Sequence, residues 1–309
     1  MCDADAELAR AVAATVPGAR ATVDWRAAIK DSGVNAVVVA TPVYLHREMV
    51  LAALAEGKDI LCEKPLGLDG DEAALMAEAA RSAARIHMVH FGFRFLPAIR
   101  AVHDLLADGS IGRPQQLNLR HLVASQLDPG RPLGWRHRRA LAGMGALGDL
   151  GIHSFDLVRW WVGGIERISA VHAPLVRRRP LPGGDSYGDA EVDDTALVIG
   201  ELVGGAVLSV HVSRCAAGPP RLEGELFGTH GAIRFTRDQV GLAIGEDRSA
   251  VVVLAPWELA TDGAHDRFLA AVRNRTEADP SFVDAVHAQR VADAAVRSGL
   301  RDGEWQIVP

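Results

Sequence analysis

The sequence predicts an α/β protein in two parts: a doubly wound parallel sheet, then an α+β domain built on a large, mostly antiparallel open sheet. Up to Arg94, apolar β-branched runs alternate with helix-like segments, as right-handed βαβ crossovers require. After Arg94 that rhythm stops. From about Glu166 to Val253 the chain becomes a series of strand candidates joined by Gly and Pro turns, flanked by helices.

Residues 5–15 (DAELARAVAAT) read as an Ala-rich helix. Val34 to Ala40 (VNAVVVA) is a continuous apolar run, the pattern of a strand buried on both faces, and Thr41-Pro42 stops it. Leu45 to Glu56 is predicted helical, with Gly57 as its stop. Asp59 to Cys62 is a short strand running into Glu63-Lys64-Pro65, where Pro65 ends the pairing. Asp69 to Ala84 is a helix with Asp69 as N-cap, and Ile86 to Phe91 a third strand. Beyond Arg94 come a helix over Pro97–Ala107, a strand over Gln115–Val123, and a Gly-rich approach to an apolar helix ending near Trp161. Strand candidates follow at Ala196–Leu202, Ala206–Val212, Leu222–Phe227, Ala232–Phe235 and Val251–Leu254, then helices near Asp262–Arg273 and Val283–Arg297.

Composition narrows the function. The chain has 309 residues, 49% hydrophobic and 23% charged, as in an ordinary soluble enzyme of two domains. A net charge of −6 argues against nucleic acid as a partner, because backbone phosphates call for a basic surface. No apolar run reaches the ~20 residues of a membrane span, and no secretory signal is visible. Cys2, Cys62 and Cys215 form neither a disulfide framework nor a metal-ligand spacing, so a reducing cytoplasm and no bound metal are expected. Of the 33 Lys and Arg residues only Lys30, Lys58 and Lys64 are Lys. Lys, unlike Arg, readily shifts its pKa and transfers protons, which makes each one worth weighing.

Three constellations carry possible chemistry. Glu63-Lys64-Pro65 falls at the carboxyl end of a parallel strand, where open α/β sheets bind ligands; the alternative is a solvated lysine in a turn. Asp149 and His153 are four residues apart, so on a helix they share a face, and a carboxylate beside an imidazole can fix its tautomer. A core-packed His next to an N-terminal helical Asp is the plainer reading. Thr41-Pro42 with His46 marks a strand end passing into a helix, and alone it is ordinary turn chemistry.

In this order, Thr41-Pro42…His46, Glu63-Lys64-Pro65 and Gly145-x-Leu147-x-Asp149-x-Gly151-x-His153 resemble the Gfo/Idh/MocA oxidoreductases. Ser110-Ile-Gly112-Arg-Pro, Trp135-Arg136, Phe227-Gly228-x-x-Gly231 and Pro280-Ser281-Phe282-x-Asp284-Ala285 add to the match, which covers almost the whole chain. The resemblance implies a truncated, dinucleotide-binding Rossmann domain over residues 1–94 and an α+β substrate-binding and oligomerisation domain over 95–309. It implies hydride transfer between a sugar, inositol or related polyol carbinol and NAD or NADP. By that resemblance Lys64, Asp149 and His153 are catalytic, and Asp3, Thr41, Pro42, His46, Glu63 and Lys64 line the cofactor. Trp135, Arg136 and His153 meet the substrate, and the protein forms a homo-oligomer, a dimer or tetramer. Alternatives on the same fold are an NAD-dependent glycosidase and a non-catalytic homologue. His153, steered by Asp149, takes the hydroxyl proton while Lys64 stabilises or shares it; which of the two is the base stays open. The run Arg177-Arg178-Arg179 is read as a solvated loop.

Two departures accompany the match. The family opens with a strand and a Gly-rich phosphate turn, whereas Cys2-Asp3 resembles the end of its second strand. Roughly thirty residues, a βα unit and a strand, are therefore expected to be missing, through a start assigned too far downstream or a true truncation. An uncovered sheet edge, with poor solubility or a compensating oligomer contact, would follow. Asp3, at the place of the family's ribose-binding acid, favours NAD over NADP by repelling a 2′-phosphate. The second departure is Gly92, which stands where the family often carries Asn.

Overall fold

A computed structural model describes residues 1–245, 252–254 and 263–309. The first part runs α1 (Ala6–Ala13), α2 (Trp25–Lys30), β1 (Ala36–Val39), α3 (His46–Ala55), β2 (Asp59–Cys62), α4 (Gly70–Ser82) and β3 (His87–Val89). The three strands form a parallel sheet in the order β1-β2-β3. Val39 lies opposite Cys62, and Cys62 opposite Val89, so all three strands end at one edge. Being central, β2 is buried along its whole length. Asp69 caps α4 as its sequence position predicts, accepting the Glu72 N–H at 2.9 Å. Near the N-terminus, Cys2 bridges Thr22 in parallel.

The second part comprises α5 (Pro97–Ala107), β4 (Pro114–Leu122), α6 (Arg139–Ala142), α7 (Ile152–Val162), β5 (Ile165–Ala173), β6 (Arg178–Pro180), β7 (Tyr187–Asp189), β8 (Thr195–Leu202), β9 (Val207–Ser213), β10 (Arg221–Gly228), β11 (Gly231–Thr236), β12 (Val240–Ile244), β13 (Val252–Leu254), α8 (Ala264–Asn274), α9 (Phe282–Gly299) and β14 (Gln306–Ile307). Among the described residues, nine strands make one sheet in the order β13-β12-β11-β10-β4-β9-β8-β5-β14. It is antiparallel except where β4 and β9 run parallel. Residues 251 and 262, inside an expected strand and an expected helix, lie outside the described residues. The sequence reading passed over α2, β5, the β6–β7 ribbon and β12.

Alternation along β4 directs Leu117, Leu119 and His121 inward and Gln116, Asn118 and Arg120 outward. The inner face is covered by α7 and α9. Ala285, Ala288, Ala292 and Ala295 keep α9 slim enough to pack closely, and all four are buried. This helix also ties the two parts together. Its Asp293 accepts the Gly70 N–H of α4 at 2.7 Å, and its Ser298 hydroxyl accepts the Ala170 N–H of β5 at 2.8 Å.

A second tie lies at the junction itself. Arg94 is buried in the turn after β3 and reaches Asp156 of α7 through two hydrogen bonds of 3.0 and 2.5 Å. It also meets Asp279 at 2.7 Å and Asp284 of α9 at 3.1 Å. A buried guanidinium pinned by carboxylates of α7 and α9 fixes the relative placement of those two helices, and removing one partner would strand the other's charge.

Candidate active site

The three loops that leave the carboxyl edge of the parallel sheet carry Thr41-Pro42, Glu63-Lys64-Pro65 and His90. Backbone bonds hold them in step: Glu63 N–H donates to the Val39 carbonyl and His90 N–H to the Cys62 carbonyl, each at 2.8 Å. His46 locks two of these loops. Its ring is buried, with Nε2 2.8 Å from the Thr41 carbonyl and Nδ1 3.1 and 3.3 Å from those of Pro65 and Leu66. Its polar atoms thus face backbone carbonyls, and it positions the turns rather than presenting a side chain to a ligand. The Thr41 hydroxyl lies 3.6 Å from the Met49 sulfur. Asp3 is exposed, its carboxylate accepting the Asp5 N–H at 2.9 Å.

Facing this edge is the Gly-rich stretch of the second part. Residues Leu147–Gly151 form a π-helical turn that runs into α7; such bulges recur at functional sites. The turn's start is held by Asp193, whose two carboxylate oxygens accept the Gly145 and Leu147 N–H groups at 2.9 Å each. A Cβ at position 145 would come 1.8 Å from the Asp193 carbonyl, so only glycine fits. The Asp193 and Asp194 pair escaped the sequence reading, although two acids directly ahead of an apolar strand were a usable signal.

The π turn brings Asp149 onto Lys64. The Lys64 amine donates to the Asp149 carboxylate at 2.9 Å and to its backbone carbonyl at 2.7 Å. Burial works against the Asp149 charge, but the Lys64 ammonium outweighs it and holds the carboxyl below its usual range. The sequence expectation that Asp149 steers His153 is therefore corrected: the carboxylate is bonded to the lysine, and His153 Nδ1 is buried with no partner. Aromatic contacts orient His153 instead. Phe93 stacks on it with centroids 4.3 Å apart, and Phe91 meets it edge-on at 5.9 Å. Burial, reinforced by the positive Lys64, pushes its pKa well below the ordinary value, so the resting imidazole is neutral and a proton placed on it is readily given up.

His121 is a site residue the sequence reading missed. It ends the inward row of β4, 6.2 Å from the His153 ring, with its own Nδ1 buried and unpartnered. The parity of Leu117 and Leu119 pointed to it. Burial pulls its pKa down to about 4.

Loops of the second part close the opposite side. Trp135 meets Tyr44, from the turn after Thr41-Pro42, edge-on at 6.4 Å, and the Arg136 guanidinium lies 4.2 Å over the Trp135 ring. Two buried arginines fix these loops. Arg179 donates to the Gln126 and Asp128 carbonyls at 2.5 and 2.9 Å; Arg214 donates to the Asp193 carbonyl at 2.9 Å and to the Asp194 carboxylate at 3.2 Å. The expected solvated run 177–179 is corrected at Arg179, which is fully buried. Lysine scarcity also misled in part: Lys58 is buried, its amine donating to the Asp31 and Val34 carbonyls.

The arrangement can hold a dinucleotide's reactive end. Its polar side chains gather at the carboxyl edge of a parallel sheet, and two buried imidazole nitrogens there lack a partner. An ammonium, a carboxylate and a neutral imidazole converge there from both parts of the chain, which is acid–base equipment for a carbinol.

Comparison with known proteins agrees. Residues 1–91 match the model of the oxidoreductase family with an NAD-binding Rossmann fold, and residues 99–234 match the GFO/IDH/MocA C-terminal domain. The chain is 32% identical to levoglucosan dehydrogenase of Pseudarthrobacter phenanthrenivorans, over 100% of this chain and 89% of that protein. It is 31% identical to inositol 2-dehydrogenase of Acidothermus cellulolyticus, over 96% of this chain and 83% of that one. A structure of levoglucosan dehydrogenase in complex with NADH and levoglucosan superposes with a TM-score of 0.92 at 31% identity, covering 100% of this chain and 89% of that one. The chain belongs to the Gfo/Idh/MocA family of NAD-dependent oxidoreductases.

Proposed function

We propose that this oxidoreductase converts a secondary alcohol of a cyclic sugar, anhydrosugar or inositol to the ketone, with Lys64, Asp149 and His153 at the reacting carbon. One observation carries the reading: the Lys64 ammonium, bonded to Asp149, lies near enough to His153 to bear on its charge, and the His153 Nδ1 is buried without a partner. His153 takes the hydroxyl proton, and Lys64 steadies the developing alkoxide while Asp149 fixes the amine. NAD, when bound along the sheet edge by Thr41, Pro42 and Glu63, supplies the hydride acceptor. Asp3 disfavours a 2′-phosphate, so NAD is preferred to NADP. Trp135 and Arg136 form the sugar-facing wall. We place the boundary between cofactor and substrate units at Arg94. Lys64→Ala and His153→Ala are each expected to cut polyol-dependent NADH formation by ~10²-fold or more; near-normal rates in both would refute the assignment.

We further infer a homo-oligomer built on the outer face of the nine-stranded sheet. Val171, Leu197 and Ile199 are each more than half exposed, and Val207 is 50% exposed; together they form an apolar stretch across β5, β8 and β9. Arg167–Glu201 and Arg120–Glu223 pairs border it, a mixed-charge rim suited to a second copy. Among the described residues no helix is long and apolar enough to cross a membrane. Three unpaired cysteines fit a reducing cytoplasm.

A further inference from the structure

Oxidation of an alcohol releases one hydride and one proton. Here the proton is left in a poor place, because His153 and His121 are both desolvated and unpartnered at Nδ1. A third imidazole at the site is built differently. His90 follows β3, and its Nδ1 lies 2.6 Å from Glu63 Oε1. The other Glu63 oxygen accepts the Lys64 backbone N–H at 3.2 Å, so one carboxylate ties the imidazole to the lysine loop. Burial works against the Glu63 charge, but His90 and Lys64 outweigh it and hold the carboxyl below its usual range. The His90 side chain keeps 29% of its surface in solvent. Its ring lies over Gly92, where a Cβ would sit 3.6 Å from Cε1 and 3.7 Å from Nε2, so bare backbone leaves that flank open. The groups bearing on it are Glu63 and Lys64 after β2, His265 of α8 with its ring 5.3 Å away, and His153 of α7.

We propose that the Glu63–His90 dyad relays the proton of alcohol oxidation from the buried reaction centre to solvent. The inference rests on the dehydrogenase reading above. Glu63 accepts the Nδ1–H and fixes the tautomer that leaves the Nε2 lone pair free. Nε2 takes the proton that His153 has removed from the substrate, passed along solvent in the cleft. The imidazolium is held by the Glu63 carboxylate until Nε2 releases the proton to bulk solvent. The hydride has gone to NAD, and the dyad returns to its starting charge. This gives the site the carboxylate–imidazole pair that sequence spacing assigned to Asp149 and His153, on a different pair of residues.

The test uses the NAD-loaded enzyme with His90→Gln. In weak buffer kcat is expected to fall about tenfold or more, the lower range of acid–base loss, and to recover as imidazole buffer is added. The solvent isotope effect on kcat should rise, while NAD affinity by fluorescence stays unchanged. Independently of turnover, ¹⁵N shifts of His90 should report a single Nδ1–H tautomer in the wild type and a mixture in Glu63→Gln. A wild-type rate in His90→Gln at every buffer concentration, or a loss that no buffer restores, overturns the relay. Should Lys64→Ala and His153→Ala behave as expected while His90→Gln does not, the relay alone is wrong. Should the wild type oxidise no polyol, the dehydrogenase reading itself has failed.

Discussion

At the scale of single residues, burial decides which groups at the site carry charge. Pairing with Lys64 holds the Asp149 carboxyl below its usual range, while burial lowers the pKa of His153 and His121 and leaves both imidazoles neutral at rest. For His121 this has a consequence for stability. Unfolded, it takes up a proton below its ordinary 6.5; folded, only below about 4. The unfolded chain binds more protons within that window, so this residue's contribution to stability is lost as pH falls through it. The linked loss approaches about 3 kcal/mol. His121→Gln removes that part of the slope. The urea-unfolding free energies of wild type and variant should therefore move by that amount, in the variant's favour, as pH drops from about 7 to about 4. Asp293 and Asp156, raised by burial to about 6 and about 7, tilt stability the other way in both proteins and cancel in the difference. A difference independent of pH would contradict the burial argument.

At the scale of elements, periodicity and turn chemistry made much of the fold legible. The bounds of β2 and α5 follow from Pro65, the Asp108-Gly109 stop and the apolar spacing between. The strand β5 was missed for a physical reason. Its register shifts between Ile165 and Arg167, so the buried Ile165, Ile168 and Ala170 do not keep a period of two. The six-residue α2 is too short for a periodic signal. Residue spacing suggested an Asp149–His153 couple, but a π turn and a lysine 85 residues away redirect Asp149. The Glu63–His90 couple needed the register that sets Cys62 opposite Val89, which neither segment announces alone. The same alternation that buries Leu208 and Val210 leaves Leu197 and Ile199 outward. If a second copy covers that face, Ile199→Arg should convert the oligomer to monomer in light scattering while each subunit still melts cooperatively. An unchanged mass would remove the sheet face as the interface.

At the scale of the whole molecule, the proposed chemistry requires two parts of the chain to meet at one carbon. The first part supplies Lys64 on a sheet edge, the second Asp149 and His153 on a π turn and helix, and α9 with the Arg94 cluster keeps them in register. Asp193 holds the turn and Arg179 holds the wall loops, so the site is braced from behind by buried polar contacts. The fold and family were readable from motif order; the bracing was not, since it joins residues with no sequence signature between them. The central claim is that this cleft moves hydride from a carbinol carbon. Its most direct measurement is isotope transfer from levoglucosan or myo-inositol deuterated at the ring carbinol carbons. The account predicts monodeuterated NADH in equal amount to ketone. Release of a free sugar from a glycoside with no net NADH, or NADH without deuterium, would contradict it.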